Sequence, residues 1–194
     1  MLVKLLFATD KKHLLELLKL LALADKLLLW EGKTKEEITS ETDLGKLSIQ
    51  KGKQETALIA DLESEDKQSF DTQFSGLFAS AFGSTSVEAR LLDKIKTFPA
   101  QKVEEPVTRV QAATMILKEM LEGKKFEFPS VSKLMLFELI LMALSGSSIS
   151  IIEWALLKEF QHHHHLEDFI SDDILERAET MNKEVSKTIS IILE

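Results

Sequence analysis

Leu134-Met-Leu-Phe-Glu-Leu-Ile-Leu-Met-Ala-Leu-Ser-Gly-Ser-Ser-Ile-Ser-Ile-Ile-Glu153 is the stretch that decides the fold. Its first half, Leu134–Leu144, is the most apolar run in the chain, interrupted only by Glu138. It falls short of the ~18 apolar residues a membrane span needs. A helix apolar on all sides belongs in the core of a helical protein. Its second half is punctuation. Gly146 ends one helix, and Ser150 with Glu153 forms a capping box that opens the next.

The same grammar extends outward. From about Asp10 to Trp30, leucine covers nearly every position except a thin stripe of Lys12, Glu16, Lys19 and Lys26, so this helix is expected to be buried on most sides. Gly32 stops it, and Thr34 with Glu37 caps a short helix. Residues 42–53, with Gly45 and Gly52, read as a loop. Residues 54–82 read as two helices or one broken helix. There Phe70, Phe74, Phe78 and Phe82 stand four apart on one face. Thr85 and Glu88 cap a helix with Val87, Leu91 and Ile95 inward. Pro106 opens another, with Val110, Ala113, Leu117 and Met120 inward. Ser130 opens Val131–Leu144, and Ser150 opens Ile151–His165. A last helix after Ser171 carries Asp172 and Asp173 in its first turn and one apolar face of Ile174, Ala178, Met181, Val185, Ile189 and Ile192. No segment alternates as a strand would. The fold expected is all-α, a multi-helix bundle of roughly eight or nine helices. Pro99 to Pro106 is the linker candidate, dividing the chain into helical halves 1–98 and 106–194 or joining one continuous domain.

Composition narrows the function. The chain has 194 residues, no cysteine and a net charge of −8. Absence of cysteine excludes disulfides, thiolate metal sites and a thiol nucleophile, and fits a reducing cytoplasm. Six acids between Glu167 and Glu179 face one cation, Arg177, and basic residues are scattered elsewhere. Nucleic acid and anionic lipid both call for a basic patch. That leaves another protein, a second copy of the chain included, as the expected partner.

The turn Ala143–Glu153 resembles the helix–turn–helix signature of TerB-like proteins, the tellurite-resistance-associated helical family. That signature runs Ala-Asp-Gly, any residue, an aliphatic, Ser or Thr, two residues, then Glu. Gly146, Ile149, Ser150 and Glu153 match it, and Ser145 stands where the family has aspartate. Leu23-Ala-Asp25 is similar to the first half of an earlier copy, with Lys26 in place of the glycine. Leu17–Asp25 also echoes Leu139–Ser145, each followed by a glycine turn and a capping box. The resemblance implies a non-enzymatic interaction or scaffold protein of the bacterial cytoplasm, tied to a stress or envelope system. Its alternative is a divalent-metal-binding or metal-responsive protein, since members are thought to bind metal through acids near these turns. Ser145 removes one such acid.

No other motif carries chemistry. His162-His-His-His165 cannot converge on one ion, because neighbours on a helix point about 100° apart. It reads as a solvated helix end where imidazoles oppose the negative dipole terminus. Glu159 and His162 match one half of a di-iron bundle site, but His13 is preceded three residues earlier by Asp10 rather than glutamate. Phosphate-binding, dinucleotide-binding, serine-hydrolase and zinc-protease signatures are missing. Hence no catalytic, cofactor-binding or metal-ligating residue is assigned, no cofactor is expected, and the chain is not read as an enzyme. The phenylalanine stripe reads as core, so Phe74→Ala should cost about 3–5 kcal/mol in chemical denaturation. An unchanged midpoint would make the stripe a surface.

Overall fold

The computed structural model describes residues 2–52, 56, 57, 59, 60, 86–146 and 148–193. The phenylalanine stripe at Phe70, Phe74, Phe78 and Phe82 lies outside them. The described elements run α1 (Ala8–Ala24), β1 (Leu28–Trp30), β2 (Leu47–Ile49), α2 (Val87–Ile95), α3 (Pro106–Leu121), α4 (Pro129–Leu144), α5 (Ile151–His163) and α6 (Asp168–Leu193). The protein is mainly helical. Six α-helices stand among the described residues, not the eight or nine expected. The expected helices of 54–82 fall largely outside that set, and the helix expected after Thr34 is a 3-10 turn, Lys35–Glu37.

Helix α1 is the hub. It packs against α2, α3, α4 and α5, while α3 pairs with α5 and α4 with α6. Its thin polar stripe explains this. His13, Leu14, Leu17, Leu18, Leu20, Leu21 and Ala24 are all buried around the helix. One apolar cluster joins Leu18 to Leu91 of α2, Ile116 of α3, Met135 of α4, Phe160 of α5 and Ala178 of α6. Helix α4 is buried as its apolar run requires, and Glu138 at its middle is fully enclosed. Val87, Leu91 and Ile95 point inward on α2.

Several boundaries differ from the sequence reading, each for a local reason. Leucines 27–29 continue the pattern of α1, but the helix stops at Ala24 with Asp25 as its C-cap. Leu28–Trp30 then pairs antiparallel with Leu47–Ile49. Glu31 and Gly32 both have positive φ, 53° and 80°. Trp30 and Lys33 exchange backbone hydrogen bonds of 2.8 and 2.9 Å around them. That is a tight two-residue hairpin turn. Three-residue strands are too short to show alternation. Ser86 caps α2, accepting from the Ala89 N–H at 3.2 Å, one residue later than the Thr85–Glu88 box. Helix α4 starts at Pro129, before Ser130, with no side-chain cap. Helix α6 starts at Asp168, so Ser171 is an interior, buried residue, and Asp172 and Asp173 lie beyond the first turn.

Gly123 has φ +71° and follows the end of α3. Gly146 lacks a positive φ, and a Cβ there would meet only the Ala143 carbonyl oxygen, at an ordinary 3.7 Å. Gly123→Ala should therefore destabilise by about 1 kcal/mol, while Gly146→Ala should be neutral or stabilise by a few tenths to about 1 kcal/mol. Paired urea melts check the contrast.

Candidate functional site

Helix ends decide what the turn Ser145–Glu153 does. Ser150 Oγ accepts from the Glu153 N–H at 3.2 Å, and Glu153 Oε2 accepts from the Ser150 N–H at 2.7 Å. The capping box is complete, and it occupies the atoms a ligand would need. Ser145 Oγ is likewise turned back onto its own helix, donating to the Met142 carbonyl at 2.7 Å.

Glu153 is buried, which raises its carboxyl above the usual range; its two Ser150 contacts and Lys26 oppose that, and Asp25 adds to it. The end of α1 and the start of α5 are thus electrostatic neighbours. Arg109 of α3 completes this junction. Its guanidinium donates to the Ala24 carbonyl at 2.6 Å and the Leu23 carbonyl at 3.3 Å. The Leu23 carbonyl also takes the Lys26 N–H at 3.3 Å, so the Ala24 carbonyl is the one that depends on Arg109. Burial lowers the Arg109 pKa while Asp25 and Glu104 raise it. Asp25 Oδ1 lies 3.5 Å from Lys26 Nζ. Every member of the junction except Ser150 is charged, yet its contacts satisfy helix ends rather than converge on a cavity.

The four histidines divide. His162 and His165 are exposed, whereas His164 is partly buried. Its ring centroid lies 4.5 Å from Phe160 and 4.8 Å from Phe126, and His13 meets the same Phe126 ring at 6.1 Å, tilted by 51°. The solvated helix end expected for the tetrad therefore holds at its two ends and not at His164, where burial lowers the pKa to about 4. Helix α5 ends at His163, and His165 takes φ +52°. Among the described residues no group of three or more His, Asp or Glu side chains is placed to hold a metal.

Two surface features remain. A cleft of about 520 Å³ is lined by Glu16, Lys19, Lys51, Thr56, Glu88 and Arg90, among others. Its charges are engaged, with Lys51 on Glu88 at 2.8 Å and Arg90 on Glu119 at 3.1 Å. The second feature is α6. The face expected to point inward is split. Ala178 is fully buried, but Met181, Val185, Ile189 and Ile192 are 41, 47, 50 and 73% exposed. Asn182 donates to the Leu144 carbonyl at 3.3 Å, the end of α4. Residues 183–192 beyond it are all exposed. No helix among the described residues is long and apolar enough to cross a membrane.

Compared with known proteins, the chain matches no family model, no curated protein and no solved structure. The geometry above therefore carries the functional argument.

Neither the helix-end contact of Arg109 nor the burial of His13 was read from the sequence. Arg109 sits one position before an inward Val110, and His13 lies inside the leucine face of α1. The second was the legible one, since a polar residue on an otherwise apolar face marks a buried contact. Ser150→Ala removes one cap bond and should lower stability by about 0.5–2 kcal/mol, measured by thermal denaturation. Lost helicity of that size with no change in metal content would fit a purely structural turn.

Proposed function

We propose that this chain is a non-enzymatic, TerB-like interaction or scaffold protein of the bacterial cytoplasm, serving a stress- or envelope-associated system. The projecting end of α6 is the element that docks its protein partner. The observation that carries this reading is the apolar stripe of Met181, Val185, Ile189 and Ile192, spaced 4, 4 and 3 apart on one helix face.

Residues 183–192 have little tertiary cover, and Val185, Thr188, Ile189, Ile191 and Ile192 are β-branched. Such residues lose side-chain freedom in a helix, and short isolated helices are marginal in water. Burying a Val or Ile side chain contributes about 1.5–3 kcal/mol. A partner covering three or four of them supplies what the segment lacks. An amphipathic helix laid into an apolar groove uses this i, i+3, i+4 spacing of anchors.

Val185→Glu with Ile189→Glu tests it. Captured from a native-host lysate, the wild-type protein should retain a partner that the double variant loses. Stability of the isolated protein should change by less than about 0.5 kcal/mol, as for other surface substitutions. An identical set of captured proteins, or none in either case, would sink the reading.

A further inference from the structure

The histidine corner holds a contact that the docking function does not use. Phe126, on the connector between α3 and α4, sits between two imidazoles from distant parts of the chain, His13 of α1 and His164 at the end of α5. His13 is only 4% exposed. The Nε2 atoms of both rings are buried and have no hydrogen-bond partner. A bare imidazole nitrogen tolerates such a place. A protonated one does not, because it becomes a buried charged donor without an acceptor.

The surroundings reinforce that asymmetry. The charges bearing on His13 come from Lys124 on the connector and His163 on α5. Those bearing on His164 come from His163 and His165 beside it and His13 across the corner. All are cationic or become so in acid. The nearest acids along the chain are Asp10 and Glu16 on α1 and Glu159 on α5, which are partly exposed, and Glu127 on the connector with Glu167 and Asp168 at the corner, which are exposed. Glu159 Oε1 is 3.5 Å from Lys118 Nζ. The corner also roots α6. Gln161 donates to the Leu166 carbonyl at 3.1 Å and to Asp168 Oδ1 at 2.8 Å, and the Leu166 N–H returns to the Gln161 carbonyl at 3.1 Å.

We propose that Phe126, His13 and His164 form an acid-released latch, which clamps the α3–α4 connector and the α5–α6 corner onto α1 at neutral pH and lets both go on acidification. Burial pushes both imidazoles down to about 4 from the usual 6.5. The opened state therefore binds more protons between those two values. Closure is at full strength above pH 6.5 and weakens progressively as the pH falls towards 4.

Amide hydrogen exchange at pH 7 and pH 5, corrected for intrinsic rates, tests the latch. Protection across residues 122–128 and 160–168 should fall by at least about tenfold, while α3 around Ile116 keeps its protection. His164→Phe keeps an aromatic ring without a titrating nitrogen, and the fall should shrink. Loss of protection everywhere at once would make the transition global unfolding and overturn the latch. So would a variant that opens in acid as the wild type does. A second measurement needs no variant. In the wild-type protein, two of the five histidines should titrate below 6.5 by NMR, at the pH where protection of the corner is lost. Five ordinary titrations near 6.5 would also refute it.

Discussion

Helix α1 packs against four others, and its last residue, Ala24, is fully buried, with a carbonyl beyond the reach of the helical ladder. The guanidinium of Arg109 meets that demand at Ala24, with a longer bond to Leu23. A buried carbonyl left without a donor costs about 1–3 kcal/mol, so the side chain that reaches it is not free to do anything else. Arg109 lies on α3, and the acids bearing on it are Asp25 at the end of α1 and Glu104 just before α3. The junction is charged because the end of the hub helix is polar.

This bears on how much of the fold was readable. Elements set by side-chain pattern were legible. The leucine surround of α1, the apolar run of α4 and the inward triplet of α2 each occupy the place their spacing requires. Elements set by backbone geometry were not. The hairpin at Glu31-Gly32 depends on two consecutive left-handed residues, and Gly32 was equally good as a helix stop. The α6 start depends on the chain reversing at His165, whose positive φ has no glycine to announce it. At the candidate site, the Ser150 capping box was legible because it is local. The meeting of His13 with His164, and of Arg109 with the end of α1, joins residues more than 80 positions apart. Nothing in local spacing records that.

Buried polar groups in this protein fall into two kinds. Those at helix ends close the backbone there, Ser150 and Glu153 with each other and Arg109 on the Ala24 carbonyl, although Arg109 Nε and Asp25 Oδ1 lack a hydrogen-bond partner. Those inside the leucine and phenylalanine core are left partly open. Glu138 takes the Leu2 N–H on Oε1 while Oε2 has no partner, and burial raises its pKa. His13 and His164 each leave one nitrogen bare. The first kind fixes the architecture. The second makes it responsive, because its members favour the uncharged form and lose that environment when the core opens.

Helix α6 has 26 residues and lies along α4, which has 16. At 1.5 Å per residue these are about 39 and 24 Å long, so roughly 15 Å of α6 overhangs its bed. Geometrically it is a lever. With its fulcrum at the Asn182–Leu144 bond, where the bed ends, a bend of about 10° would sweep the far tip through roughly 3 Å. A bend that leaves Ala178 seated in the core thus still shifts Ile189 and Ile192 by roughly 2–3 Å against anything they touch.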